Sequence, residues 1–563
     1  MTEFLFVFGL AIVLGWPLGR YLAAIMRGAP MRGDRLFAII ERPLYRLLGI
    51  DPAQGMSWKT YASAFLLSNL ILGLLVWMLL MSQQWLPLNP NAAPNMRWDL
   101  ALHTAVSFLT NTNQQHYSGQ AQLSYLSQMT AIVGLQVITP MMGLALVVAT
   151  LRGLFGGRQQ TDRSQPADVG NFWADLIRPT IRLFLPLCLL LSVLLTAQGV
   201  PATLDGGPKA TPLDGAAQMS EQKIPLGPVA AMVAAKQLGT NGGGWYGPNS
   251  SVALENPTPV SNLLQTLALI LLPVAIVFMV GDFTGRARLS ALIFGCMLSM
   301  SLMSVGIALW SEGHSASSSD IALMEGKEVR FGADASALWA ALTTQTSNGS
   351  VNSMHDSLAP LTGMVTIANM LVNGIWGGIG CGLQQFLVYL LLSVFLAGLM
   401  TGRTPELLGR KIEAPEVKFL AVLVLLQPLV ILGLSAVSLL FPELTGNSNP
   451  GAHAISQVLY EYTSAFANNG SGFEGLGDAS YWWNLSCVLA LILGRYPALI
   501  LPLIIAAMLA RKRVTPEGPG TLQIETPTFA LTLMAIIAIL TLLQFMPVLV
   551  LGPVADHLQF ITR

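Results

Sequence analysis

Charge is what this 563-residue chain has least of: Asp, Glu, Lys and Arg together make up 10% of it, against roughly 25% in an average soluble domain. Hydrophobic residues are 53% and the mean hydropathy is +0.59. Such a chain cannot cover a water-facing surface, which excludes an ordinary soluble globule and leaves a polytopic membrane protein. The formal net charge is zero, so no nucleic-acid partner is implied. Cysteine is scarce too. Cys188, Cys296, Cys381 and Cys487 lie in or beside apolar segments without CxxC spacing, which argues for packing and against a disulfide framework or a thiolate metal site. A GxxxxGKS/T phosphate loop and an Asp-Lys-Thr-Gly phosphorylation sequence are both missing. With no room for a nucleotide-binding domain, no nucleotide is expected on this chain, and any ATP coupling has to come from another subunit.

What the chain has in abundance is long apolar runs. A hydrocarbon core of ~30 Å takes about 20 helical residues to cross, and runs of that length fall near 3–26, 62–82, 125–151, 176–197, 261–281, 290–310, 361–400, 418–441, 485–510 and 527–551. The first contains Glu3, has no basic flank before it and is followed by Arg20, Arg27, Arg32 and Arg35, so it reads as a retained helix rather than a signal peptide. Lys and Arg number 21 in the loops 20–59, 152–182, 282–289, 403–418 and 511–525. The opposite loops hold Arg97, Lys209, Lys223, Lys236, Lys327, Arg330 and Arg563. The positive-inside rule makes the first set cytoplasmic and puts both termini outside.

Four short stretches on the outer side resemble one another: TNTNQQ from Thr110, TNGGGW from Thr240, SNGSVN from Ser347 and NNGSGF from Asn468. Each follows a weakly apolar run of about a dozen residues and lies between two spans, which is the layout of a membrane helix, a pore loop and a second membrane helix, repeated four times. The expected fold is an all-α polytopic membrane protein with four pseudo-symmetric membrane-pore-membrane repeats around a central filter, plus one extra helix at each end. The expected divisions are 1–59 (N-terminal helix and inner loop), 60–151, 152–281, 282–400 and 401–511 (pore repeats one to four) and 512–563 (C-terminal helix). Aligned on their first residues, the loops read Thr110-Asn111-Thr112-Asn113, Thr240-Asn241-Gly242-Gly243, Ser347-Asn348-Gly349-Ser350 and Asn468-Asn469-Gly470-Ser471. On that alignment the second column is Asn throughout and Thr112 alone breaks a glycine column. Glycine permits positive φ and close approach of backbone to a ligand.

These loops carry no Asp or Glu. A neutral oxygen cage suits a monovalent cation, since divalent sites normally supply carboxylates. Potassium or sodium is therefore favoured as the ligand. The sequons at Asn348 and Asn469 are poor glycosylation acceptors if the loops are buried. The apolar run 361–400 is twice the length one crossing needs and has Gly374, Gly377, Gly378, Gly380 and Gly382 at its middle, so it is expected to break beneath the filter, where backbone lining a cavity is tolerated. Arg495, inside a hydrophobic segment, is a candidate pathway or structural charge, and Arg403 joins it in that role. His355 and Asp356 stand together after the third loop and read as organising its turn, while His103, His116, His314, His453 and His557 read as scattered; no nucleophile is there to make a catalytic pair. Asp556 reads as a tail residue of no consequence to the pore.

Several longer runs carry a resemblance: RWDLALHTAVSFLTNTN (97–113), LGTNGGGWY (238–246), ENPT (255–258), MEGKEVRFG (324–332), MHDS (354–357), GRTPE (402–406) and NPG (449–451). Over essentially its whole length the chain is similar to the family of potassium-binding A subunits of bacterial Kdp potassium-transporting ATPases. The resemblance implies a non-catalytic subunit in the inner membrane that selects periplasmic potassium and passes it through an intramembrane tunnel to a P-type ATPase B subunit. A single-span C subunit, a small F subunit and membrane lipid would be its other partners. Carried over, the filter comprises Thr110, Asn111, Thr112, Asn113, Gln115, Thr240, Asn241, Gly242, Gly243, Ser347, Asn348, Gly349, Asn468, Asn469 and Gly470. Gln114, where an aromatic residue is expected, and Asn348, where a cysteine occurs, depart from the pattern. A stand-alone potassium channel or symporter of the same superfamily is the alternative.

Overall fold

The computed structural model describes residues 2–156, 167–214, 219–314, 322–516, 518 and 521–562. Arg158, Arg163 and Arg563 of the charge count lie outside the described residues. The apolar runs are helical apart from a break in 361–400, and among the described residues ten helices are long and apolar enough to cross a membrane: Thr2–Arg27, Trp58–Trp85, Ser127–Phe155, Phe172–Ala197, Pro259–Thr284, Ala287–His314, Cys381–Met400, Ala414–Leu440, Tyr481–Ala510 and Pro527–Gln559. Between the spans of each unit lies one pore helix: Trp98–Leu109, Val229–Leu238, Gly332–Gln345 and Ala452–Phe466. The first spans of the units turn leucine and isoleucine outward, as Leu67, Leu70, Leu189 and Leu425 do. The spans that follow the first two pore helices, and the helix Cys381–Met400 of the third unit, are mostly buried, so the first three units bury their second spans more than their first.

The N-terminal helix lies along Pro259–Thr284 at close range. A Cβ on Gly15 would stand 3.1 Å from Val274 Cγ1, and one on Gly19 would stand 2.9 Å from the Phe278 Cβ. Two glycines four residues apart bring the backbones together, which is how helices gain packing energy where hydrocarbon offers no hydrophobic drive. Residues 34–48 form an amphipathic helix, tied to the second unit by Arg182, which bonds both Glu41 and Asp34.

The third unit breaks as its glycines require. Pro360–Val372 ends at Asn373 with φ 46°, and a new helix starts at Cys381. Gly377 and Gly380 take positive φ between them. The interruption hangs on the pore: Gly377 N–H donates to Gln345 O, Ile379 N–H donates to Thr240 Oγ1, and Ser347 Oγ donates to Asn373 Oδ1. Freed N–H groups of the break are thus taken up by the end of the third pore helix and by loop two.

Candidate ion-binding filter

Each pore helix ends at the loop that follows it, so four helix C-termini, each worth about half a negative charge, gather around one place. The loops leave their helices by the same turn. Asn111, Thr240 and Asn468 each donate N–H to the carbonyl three residues back, and Thr112, Asn241, Asn348 and Asn469 each donate to the carbonyl five residues back. Positive φ recurs two residues apart in every loop: Asn111 and Asn113, Thr240 and Gly242, Ser347 and Gly349, Asn468 and Gly470.

This pattern corrects the register read from sequence. The first loop is displaced by one residue, so Thr112 stands with Asn241, Asn348 and Asn469, and Asn113 stands with the three glycines. Asn occupies that left-handed position because its short polar side chain tolerates it better than most residues with a Cβ. Thr110 falls outside the columns. It caps the pore helix, and its hydroxyl bonds Ser107 O and, at 2.8 Å, Thr112 Oγ1.

The four loops close into a ring. A Cβ on Gly242 would sit 2.7 Å from the Asn348 carbonyl carbon, one on Gly349 2.8 Å from that of Asn469, and one on Gly470 3.1 Å from that of Thr112. Loop two meets loop three, three meets four, and four meets one. Loop one meets loop two through Asn111 Nδ2, which donates to Thr240 O at 3.1 Å, and through Asn113 against Gly243.

Side chains in the ring are largely committed to holding it. Asn348 Nδ2 donates to Lys236 O and Asn469 Nδ2 to Thr343 O, each on the preceding pore helix. The amide oxygens accept from Ser350 N–H and Ser471 N–H, forming Asx turns. That is the physical content of Asn-Gly-Ser in loops three and four. Gln115 clamps loop one to loop two, donating to Gly244 O and accepting from Gly244 N–H. Gly243 O is taken by Gln136. Asn113 differs: neither atom of its buried amide is bonded.

What remains for a ligand is backbone. Thr112, Asn241, Asn348 and Asn469 are fully buried, yet among the described residues no N–H or O–H donates to their main-chain carbonyls. Buried carbonyls are nearly always partnered. Four unpartnered ones at equivalent positions of a closed ring, with no charged side chain in the loops and four helix C-termini behind them, make a neutral cage for a small cation.

Charges that sequence reading did not place lie around the ring. Lys236, in the last turn of the second pore helix, bonds Glu255, Asn249 and Ser250 with its Nζ, while its carbonyl accepts from Asn241 and Gly242 N–H. Lys327 meets Glu312 at 2.8 Å, both buried. Arg330 donates to Asn256 O and Ser251 O, so the ENPT and MEGKEVRFG runs meet in space as a brace behind loop two. The available signal was one charged residue in every pore helix: Asp99, Lys236, Asp334 and Glu461.

Arg495 is 4% exposed and contacts Cys381 Sγ at the first residue of the restarted third-unit helix. No carboxylate pairs with it among the described residues, so it is a bare cation at the helix restart after the break. Arg403 is different: it lies on an exposed turn and donates to Thr521 O. The histidines are not all scattered, since the rings of His103 and His116 stack with centroids 3.7 Å apart. Nor is Asp556 an idle tail residue; it is buried and accepts from His453 at 2.8 Å.

The fold and loops define a four-repeat membrane transport protein of the cation-filter type. Comparison with known proteins narrows this. The family model for the potassium-transporting ATPase A subunit (KdpA) matches residues 5–558. Over 560 residues the chain is 45% identical to the potassium-transporting ATPase potassium-binding subunit of Pseudomonas aeruginosa, covering 98% of this chain and 97% of the relative. It is 44% identical to that of Gloeobacter violaceus (96% and 94% covered) and 43% identical to that of Bacteroides fragilis (98% of each). Among solved structures, the potassium transporter TrkH from Vibrio parahaemolyticus superposes with a TM-score of 0.50 at 15% identity, over 87% of this chain and 97% of that one, a likeness of fold. The chain belongs to the family of potassium-transporting ATPase A subunits.

Proposed function

We propose that this chain is the potassium-binding, potassium-selecting subunit of an ATP-driven uptake complex in a bacterial inner membrane. It binds periplasmic potassium in the four-loop ring and hands it on to a P-type ATPase subunit, and it supplies no catalytic residue itself. The observation that carries this reading is the ring of unpartnered, buried carbonyls at Thr112, Asn241, Asn348 and Asn469, which can replace the hydration shell of a monovalent cation. The site residues are these four with Asn113, Gly242, Gly349 and Gly470, while Thr110, Gln115, Gly243 and the Asn amides hold the ring. The family resemblance supports a B subunit as the hydrolytic partner, C and F subunits as smaller ones, an intramembrane tunnel and periplasmic termini. The repeat divisions at 60, 152, 282, 401 and 512 are part of the same reading.

The test is reconstitution. The chain purified alone should bind potassium or rubidium and hydrolyse no ATP, and with its P-type partner it should give potassium-stimulated hydrolysis. Robust ATP hydrolysis by the isolated chain would overturn the subunit assignment. Potassium flux through the chain alone in vesicles would favour the free-standing channel reading instead.

A further inference from the structure

The first pore loop departs from an expected aromatic at Gln114, and the structure shows what the glutamine does. Its Nε2 donates to Glu461 Oε1 on the fourth pore helix, and its Oε1 faces His103 Nε2 at 3.4 Å. The same Glu461 oxygen lies 3.2 Å from His116 Nε2. The tautomer of His116 follows from its other side. Arg97 holds Asp99, Asp99 accepts from Asn484 Nδ2, and Asn484 therefore turns its carbonyl oxygen to His116 Nδ1, 2.8 Å away. Asp99 is an acceptor, so the Asn484 amide cannot be reversed, and His116 Nδ1 must carry a hydrogen. In a neutral imidazole Nε2 would then present a lone pair to a carboxylate oxygen at 3.2 Å. Only a proton between the two atoms makes that contact attractive.

This arrangement stands at the seam of the ring. A Cβ on Gly470 would sit 3.1 Å from the Thr112 carbonyl carbon and 3.2 Å from Gln114 N, so the backbone Gln114 anchors is where loop one meets loop four. Resting on the filter reading above, we infer that His116 and Glu461 are a positioning pair for potassium binding: the proton they share holds Gln114, Gln114 holds the seam, and loss of the proton loosens the ring. His116 touches no ion and acts through Gln114.

The groups facing the pair from every side are His103 on the first pore helix, Asp99 with Arg97 through Asn484, Asp478 beyond loop four, and Cys487 on the following span. The donor atoms of His116, Glu461 and Cys487 lie within 4.8 Å of one another. Burial disfavours the charge on His116, but Asp478 and Glu461, with the bonds to Glu461 and Asn484, outweigh it and raise the imidazole above its ordinary value. Burial pushes Asp478 up to about 6, with His116 opposing the rise. The folded imidazole thus keeps its proton to higher pH than a free histidine does, and the clamp is lost as pH rises through that raised value.

The experiment measures potassium affinity of the assembled complex across neutral to alkaline pH for the wild type, Glu461→Gln, Glu461→Asp and Gln114→Ala, with Gly242→Asp in parallel. Wild-type affinity should fall at least about fivefold on the alkaline side, within the usual range of coupling between sites. Glu461→Gln should be weak at all pH values, and Glu461→Asp should restore the pH response in part. Gln114→Ala is decisive, because it keeps both members of the pair and cuts their link to the loop. It should abolish the pH response, a change that a merely structural role for the pair would not produce. A Gln114→Ala complex that keeps the wild-type pH profile, or a wild type with none, overturns the proposal and leaves the filter reading standing. Wild-type affinity in Gly242→Asp would instead bring down the filter reading itself.

Discussion

Replacing Gly242 by aspartate presses on the ring at its tightest seam. Gly242 has φ 82°, a conformation that costs a residue with a Cβ about 1–3 kcal/mol. The added Cβ would also stand well inside the 3.0 Å that Cβ atoms do not breach, with the Asn348 carbonyl group and Ser350 N as its neighbours. Those neighbours are main chain and cannot swing away, so loop three must shift to make room, and the Asn348 carbonyl is one of the four left without a donor. A carboxylate beside a neutral cage adds attraction for any cation, without regard to size. Strain of this order converts to a potassium affinity at least about tenfold weaker, which needs only ~1.4 kcal/mol. Preference over sodium should shrink, because the added charge favours all cations while the displaced carbonyl spoils the fit of one. The assay is rubidium or potassium binding to the assembled complex with sodium as competitor. Glu443→Gln, on the exposed turn after Ala414–Leu440, serves as the control. Gly242→Ala separates the two causes, since it keeps the strain and removes the charge; it should lose affinity and keep more of its ion preference. Wild-type affinity and preference in a correctly assembled Gly242→Asp complex would refute the ring.

The corrected register of loop one predicts that Asn113→Gly is tolerated, binding potassium within about threefold of wild type, whereas Asn113→Val, β-branched at φ 56°, loses tenfold or more by the same binding assay. Lys236→Met strands the Glu255 carboxylate in the interior at a cost of about 3–5 kcal/mol and should abolish assembly on size exclusion, and Lys236→Met with Glu255→Gln should recover part of it. Arg495→Gln should leave equilibrium potassium binding near wild type and change transport, read as rubidium uptake against binding, because the side chain lies beyond the ring at the helix restart. His453, held up to about 9 by Asp356 and Asp556 against the effect of burial, contributes stability that is complete below the unfolded imidazole value and is lost as pH rises through about 9. Asp556→Asn should therefore lower the thermal midpoint near neutrality and flatten its fall between neutral and alkaline pH.

The spans, the four loops and the break in the third unit were legible because each rests on backbone demands that leave a strong local mark. A crossing needs a long apolar run, a loop at depth needs small polar residues, and a helix that stops inside the membrane needs glycine. The register of loop one was hidden because Asn can do what Gly does at positive φ. Letter-matching therefore paired Asn111 with Asn241, while the hydrogen bonds pair it with Thr240. The brace of Lys236, Glu255 and Arg330 was hidden for a different reason. Residues 236, 255 and 330 are far apart in sequence, and only the closed ring makes their burial obligatory. Asp556 was misread because a charged residue near a chain end resembles a solvated tail until the helix that carries it packs against the fourth pore helix.

The commitment of side chains in the ring bears on how selectivity arises. Were the Asn, Ser and Thr side chains the ligands, each could rotate to follow a smaller ion, and discrimination would be weak. Instead Asn348 and Asn469 are held by a neighbouring pore helix and by their own serines, and Gln115 is bonded to both polar groups of Gly244. The carbonyls they leave exposed are fixed by contacts that run from loop to loop, each glycine set against the main chain of the next. A ring built this way meets a cation of one size without having to move, and the cost of contracting around a smaller one is spread over every seam. Three of the seams are closed by glycine. The fourth, between loops one and two, is closed by Asn111 and Asn113, while His116 and Glu461 act through Gln114 on the glycine seam between loops four and one. The loop in which the four-fold pattern fails is thus the loop through which the ring can be adjusted without being rebuilt.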